Sequence, residues 1–140
     1  MFVYFYCAWL KLVIFFISLQ VREIVDNRTN KTEIQIMVLK IKAVDTSHEY
    51  QDVLKIRKKV FIDEQKISEK IEIDSNEKSS KYIIALINSI AVGTARWRDD
   101  GSKVKLERFA VLKEHRNKGI GRKLNEFILK QVPVNRTIYL

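Results

Sequence analysis

The chain has 140 residues, 46% hydrophobic and 31% charged, with 26 Lys and Arg against 17 Asp and Glu and a net charge of +9. That is room for about one globular domain, and it excludes a disordered polyelectrolyte and, with 4 Gly and 1 Pro, a collagen-like or proline-rich chain. One cysteine, Cys7, with only His48 and His115 beside it, allows no internal disulfide and no Cys/His zinc cluster, so no metal is expected.

The basic excess is uneven. Residues 103–140 hold ten basic and three acidic groups, against four and three over 1–36 and twelve and eleven over 37–102. Such a local field draws phosphate-bearing partners, unless it is a solvated face with no partner at all.

Phe2 to Leu19 is an eighteen-residue apolar run in which only Lys11 and Ser18 are polar. It is long enough for a marginal membrane span, although a lysine at mid-segment opposes insertion by about 2.5–3.5 kcal/mol. No small-x-small cleavage pattern follows it, which argues against a secretory signal. Residues 1–20 therefore read either as an anchor or as an upstream extension outside the working protein, residues 21–36 as a polar connector, and residues 37–140 as the folded domain. As an anchor, the run would leave Arg22, Arg28 and Lys31 on its C-terminal side and the domain in the cytoplasm. Without it the protein is simply cytoplasmic.

From Met37, alternation of Leu39, Ile41 and Ala43 with Lys40 and Lys42 predicts a half-buried strand. Thr46 followed by Glu49 is a capping box, and Tyr50, Val53, Leu54, Val60 and Phe61 recur at helical spacing with Arg57 on their side, predicting a helix to about Glu64. Ser68 to Lys81 reads as a partly acidic loop with a short helical turn. Tyr82–Ile87, the turn Asn88-Ser89 and Ile90–Arg98 form a β-hairpin; Asp99 to Ser102 turns the chain into a further strand, Lys103–Leu112. Val104 and Leu106 alternate with charged residues whereas Phe109 to Leu112 is continuously apolar. Either a β-bulge shifts the core-facing parity or both faces become buried there. Ile120, Leu124, Phe127 and Ile128 line one face of a last helix, Pro133 closes it, and Thr137–Leu140 returns as a strand. The order β, α, β, β, β, α, β specifies an α/β domain with an antiparallel meander and one crossover.

Chemistry points to the strand–turn–helix junction. Gly119-x-Gly121 lets the backbone approach an anion, the helix start offers unpaired N–H groups, and Arg116, Lys118, Arg122 and Lys123 add charge. Neither the GxxxxGK[ST] nor the GxGxxG spacing is present.

Arg116-Asn117-Lys118-Gly119-Ile120-Gly121, following Glu107-Arg108-Phe109-Ala110-Val111-Leu112, resembles the acetyl-CoA loop and central strand of the GCN5-related N-acetyltransferase (GNAT) superfamily. Arg57-x-x-Val60-Phe61-x-x-Glu64-Gln65 and Val92-Gly93-Thr94-Ala95-Arg96 look like the first helix and third strand of its small bacterial-type acyltransferase subgroup. The resemblance implies a mixed, mostly antiparallel sheet with flanking helices, and direct transfer of acetyl from acetyl-CoA to a primary amine. It also implies site roles. The backbone of Phe109, Ala110 and Val111 would pair with the pantetheine arm, and the amides from Arg116 through Asn117, Lys118, Gly119 and Ile120 to Gly121 would hold the pyrophosphate. Arg122 or Lys123 would reach an outer phosphate; Arg57, Glu64 and Gln65 would shape the acceptor site. Glu107 is the candidate general base, directly or through water, its alternative being a surface glutamate paired with lysine across the sheet. His115 reads as a solvated turn residue.

Typical members continue with a further helix and two strands, so this chain reads as truncated, which puts activity in doubt and exposes a sheet edge for self-association. The competing reading is a non-catalytic acyl-CoA-binding or membrane-tethered adaptor. Nucleic-acid binding ranks last, because residues 103–140 offer only Phe109, Phe127 and Tyr139 as aromatics, the first two expected in the core.

Overall fold

A computed structural model describes residues 19–26 and 31–140, with side chains from residue 37 onward. The apolar run expected as a membrane anchor lies, from Phe2 to Ser18, outside the described residues, among which no helix is long and apolar enough to cross a membrane. Two compact units divide the chain, Met1–Leu39 and Lys40–Leu140. In the first, β1 (Leu19–Asp26) pairs antiparallel with β2 (Lys31–Ala43), in register from Leu19 opposite Val38 to Asp26 opposite Lys31. The connector expected over 21–36 is therefore corrected to a hairpin. Val21, Ile24, Val25, Ile34 and Ile36 are β-branched, and their strand propensity prevails over the polar residues between them.

The second unit starts with the end of β2 and follows the predicted order. α1 (Ser47–Arg57) opens with Thr46 Oγ1 accepting from Glu49 N at 3.2 Å, while Glu49 Oε2 accepts from Asp45 N at 3.2 Å, one residue before the expected partner. The same helical run continues to Glu64 with π-type geometry over Lys58–Glu64. A one-turn helix, α2 (Glu69–Glu72), and a 3₁₀ turn at Glu77–Ser79 lie in the expected loop. β3 (Lys81–Ile87) and β4 (Ile90–Asp99) are joined by Asn88 and Ser89 with φ of 49° and 68°, the double left-handed turn that matches strand twist. β5 (Lys103–Val111), α3 (Ile120–Leu129) and β6 (Thr137–Tyr139) complete it, giving the sheet order β2-β3-β4-β5-β6. β4 is antiparallel to β3 and β5, and β6 runs parallel to β5 over Lys103–Lys105.

One helix packs on each sheet face. α1 covers the face of Tyr82, Ile84 and Ala110 with Val53, Ile56 and Val60. α3 covers the other: an ideal Cβ on Gly93 would stand 3.3 Å from Ile120 Cγ2. Ile120, Leu124 and Ile128 are fully buried, each contributing about 1.5–3 kcal/mol by leaving water. Phe109 and Phe127, expected in the core, are only half-buried.

The alternatives for β5 resolve as a bulge. Thr94 pairs with Ala110 and Arg96 with Glu107, so Arg108 and Phe109 together face the single residue Ala95. Arg108 adopts φ 56° there. Leu106, opposite Trp97, and Ala110, opposite Thr94, consequently point to different faces although both are buried.

Candidate functional site

α3 starts at Gly119, whose φ of 74° is left-handed and whose absent side chain leaves the helix without a side-chain cap. The first-turn amides of Ile120, Gly121 and Arg122 therefore have no intrahelical acceptor, while Gly119 O accepts from Lys123 N at 3.1 Å. Ideal Cβ atoms on Gly119 and Gly121 meet nothing within 4 Å, so the backbone is open to an approaching anion. Asn117, φ 61°, helps to turn the chain. Arg122 is an exposed side chain 3.7 Å from Glu126, and Lys123 lies beside it in the first turn. Lys118 Nζ donates to Glu114 O at 2.7 Å.

Arg116 ties this loop down. Its Nε donates to Val111 O at 2.9 Å and its two terminal nitrogens fork onto Glu64 at 2.7 and 2.6 Å. That hydrogen-bonded arginine holds the Glu64 carboxyl below its ordinary pKa. Glu64 thus meets the arginine of the loop before α3, and Gln65 is exposed beside it at the helix end. His115 is half-buried with Nδ1 enclosed and unpartnered, and burial, then Lys118, pushes its pKa down. The expectation of a solvated turn residue is corrected accordingly.

β5 presents a free edge next to the loop. Leu112 N donates to Val92 O at 3.0 Å, so by antiparallel alternation the main-chain groups of Val111 and, beyond Ala110, of Phe109 turn away from β4. β6 pairs with β5 only over Lys103–Lys105, and among the described residues no strand covers that edge from Leu106 to Val111. Bulge, open edge and helix start follow one another along a single stretch of chain.

On the α1 face the bulge adjoins a buried ion-pair network. Arg57, 1% exposed, donates to Glu72 Oε1 at 2.5 Å and Glu72 O at 2.7 Å, and to Glu77 at 3.0 and 2.9 Å. It is neither on the helix surface nor free to meet a ligand. Arg96, also buried, bridges Asp74 (2.9 and 2.6 Å), Glu77 (2.8 Å) and Glu107 (2.9 Å). Tyr50 and Tyr82 donate to Glu77 at 2.9 and 2.6 Å. Burial alone would raise Glu77, but Arg57 and the two phenols overcome it and bring its pKa down to about 2. Glu107 accepts from Arg98 Nε at 2.7 Å and lies 3.4 Å from Lys105 Nζ. Burial raises its pKa, yet Arg98 and Arg96 outweigh that and the net direction is downward. The lysine pairing across the sheet weighed in the sequence is corrected: the partners on the neighbouring strand are Arg96 and Arg98, and Lys105 lies on the same strand as Glu107.

The network is what sequence reasoning missed. Its signal was Arg96, a charge sharing the parity of Val92 and Thr94 in a run otherwise built for burial. Two cavities flank α1. One of about 310 Å³ lies between Lys55, Ile56 and Lys59 and the turn at Ser89 and Ile90, reaching Leu112. The other, about 220 Å³, lies between Leu54 and Ile62 and the segment Glu69 to Ile73. Among the described residues no acid, histidine or cysteine cluster could hold a metal.

The family model for the acetyltransferase (GNAT) domain matches residues 44–138. An uncharacterized N-acetyltransferase of Bacillus subtilis, YjcF, is 40% identical over 83 residues, covering 58% of this chain and 59% of that protein. An uncharacterized protein of the same organism, YyaT, is 37% identical over 87 residues, covering 60% and 59%. The chain thus spans 59% of the length of these relatives. Among solved structures, Escherichia coli ElaA superposes with a TM-score of 0.60 at 19% identity, covering 67% of this chain and 69% of that one. An acyl-CoA N-acyltransferase of Pseudomonas aeruginosa gives 0.59 at 23%, covering 66% and 68%. At such identities the two structures bear on the fold alone.

Proposed function

Given that the chain belongs to the GNAT acetyltransferase family, we propose that it binds acetyl-CoA along the open edge of β5 and transfers the acetyl group directly to a primary amine. The observation that carries this is the series of bulge, an edge from Leu106 to Val111 that no described strand covers, with Val111 O taken by Arg116, and an uncapped α3 start with open space at Gly119 and Gly121. Each part answers one part of the ligand: thioester, pantetheine amides, pyrophosphate. The amine nitrogen attacks the thioester carbonyl, the C–S bond breaks, one proton leaves the nitrogen, and CoA departs as thiolate or thiol.

Glu107 takes that proton through a water in this reading. It is ionised at neutral pH and so ready to accept, but its cation partners make it a weak base. Glu64 and Gln65 border the site from the end of the π-type run that continues α1, and Arg57 supports it from beneath. Arg122 or Lys123 would meet an outer phosphate of CoA. The ion pairing of Glu107 also favours a second reading, acyl-CoA binding without turnover.

Calorimetry of the full chain with acetyl-CoA, followed by thiol release with a panel of primary amines, tests both. Binding with thiol release supports the transferase, binding without release under any amine the binding module, and absence of binding at millimolar acetyl-CoA removes both. Self-association through β6, where Ile138 and Tyr139 are 40% and 41% exposed, belongs to the same proposal. A monomer at all concentrations in sedimentation equilibrium would remove it.

A further inference from the structure

The buried network extends to a residue that the acyl-transfer reading leaves unused. Arg108 sits in the bulge of β5 with φ 56°, a conformation that opposes a side-chain-bearing residue by roughly 1–2 kcal/mol. A bulge that needed only a left-handed residue would be met by glycine without that strain. The arginine instead uses its side chain. Nη2 donates to Ile71 O at 3.0 Å and lies 3.4 Å from Glu72 O; Nε pairs with Glu72 Oε2 at 2.9 Å, and Nη2 stands 3.6 Å from Asp74. The Glu72 side chain is 3% exposed and is itself gripped by Arg57 of α1. An unbroken run of contacts thus leads from α1 through Arg57 and Glu72 to the bulge.

We propose that Arg108 is a positioning residue for acyl transfer, holding the bulge of β5 in the shape that admits the thioester by clamping it to Glu72. The proposal rests on the acyl-CoA reading above. A bulge held at Arg108 and Phe109 decides which main-chain groups turn to the open edge, and a bulge free to move along the strand would present a different set. CoA and acetyl-CoA share the pantetheine arm and would lose its contacts to that edge alike, whereas only acetyl-CoA carries the acetyl carbonyl that meets the bulge itself. Arg57 and Glu72 keep each other neutralised when Arg108 is removed, so the fold has no unpaired buried charge to expel it.

The test uses the full chain with CoA and acetyl-CoA as calorimetric probes. Arg108→Gly keeps the left-handed backbone and deletes the clamp; Arg108→Lys keeps the charge; Glu72→Gln cuts the clamp from its other end. The unsubstituted chain is expected to prefer acetyl-CoA over CoA. Arg108→Gly and Glu72→Gln should reduce that preference by about tenfold and Arg108→Lys by less, beyond any loss of affinity that CoA and acetyl-CoA share. Binding of neither ligand by the unsubstituted chain would remove the acyl-CoA reading and this proposal together. Equal binding of both ligands by the unsubstituted chain, an unchanged preference in the variants, or a lowered melting temperature with the preference intact would overturn the positioning role alone.

Discussion

Replacing each glycine of the loop proposed to hold CoA separates backbone conformation from ligand approach, because Gly119 caps α3 with a left-handed φ whereas Gly121 lies in the first turn of the helix. Gly119 has φ 74°, so alanine there is strained by roughly 1–2 kcal/mol even though no atom lies within 4 Å of its Cβ. Gly121 lies inside α3, and its Cβ position is equally open. Alanine at 121 should therefore stabilise the free protein by about 0.4–1 kcal/mol through helix propensity and a less flexible unfolded chain. In a domain of this size roughly 1 kcal/mol moves the melting temperature by about 4–8 °C. Gly119→Ala should lower it by at least that order, and Gly121→Ala should raise it by about 2–8 °C.

Binding should move the other way at residue 121. A Cβ there occupies the space a pyrophosphate needs to reach the first-turn amides, and each lost hydrogen bond to a charged oxygen is worth about 1.5–3 kcal/mol. Gly121→Ala is expected to weaken acetyl-CoA binding by about tenfold, and Gly121→Val, with its branched methyls, by about a hundredfold. Melting curves without ligand and calorimetry with acetyl-CoA read the two effects independently. Unchanged acetyl-CoA affinity in Gly121→Val would refute the placement of the pyrophosphate. A loss of stability in Gly121→Ala would refute the claim that the fold itself has no need of glycine there.

Three further outcomes are expected. Glu107→Gln should slow thiol release by a factor of about 100 or more while leaving acetyl-CoA affinity in place, and an undiminished rate would remove its role as base. Because the Glu107 pKa lies below its usual value, its own titration should leave the rate flat near neutral pH, and any rise with pH should track deprotonation of the amine tested; a limb that stays fixed as the amine is changed would contradict this. Glu77 has a folded-state pKa of about 2 against an ordinary 4.5, so its contribution is fully present above pH 4.5 and is lost as pH falls towards 2. Acid unfolding followed by circular dichroism should therefore shift to higher pH in Glu77→Gln, and an unshifted curve would show the network to be without weight. Arg57→Met should destabilise the fold by about 3–5 kcal/mol, since Glu72 and Glu77 lose a buried partner, and urea denaturation with a loss below about 1 kcal/mol would argue against that.

Local rules account for the parts of the fold that were legible. Alternation located β2 from Leu39, side-chain capping located α1, and Asn88-Ser89 announced a turn with two left-handed residues. The bulge was visible as a conflict between the parity of Val104 and Leu106 and the apolar run from Phe109, but the conflict had two solutions. Only pairing with Ala95 selects between them, and pairing is not local. The buried network was illegible for the same reason. Glu72, Asp74 and Glu77 look like solvated acids in a polar loop until Arg57 and Arg96 are brought against them from α1 and β4. Glu64 likewise reads as an acceptor-site acid from its place in a helix motif, whereas the fork onto Arg116 ties it to the loop.

Charge behaves differently from what its distribution along the chain suggests. The basic excess after residue 102 falls on the stretch that holds the proposed CoA loop, yet much of it is already engaged within the protein. Arg116 is forked onto Glu64, Arg108 Nε lies 2.9 Å from Glu72, Lys118 donates to a main-chain carbonyl, and Arg136 lies 3.4 Å from Asp99. In the proposed binding mode an anion at α3 would meet main-chain N–H groups first, in a geometry set by Gly119 and braced by Arg116. The arginine that looked like a phosphate ligand thus acts by shaping the loop, holding Val111 O with one nitrogen and Glu64 with the other two. Recognition built on amides is directional and short-ranged, so it can distinguish a pyrophosphate laid along a strand edge from phosphate at large, which a diffuse positive field cannot do.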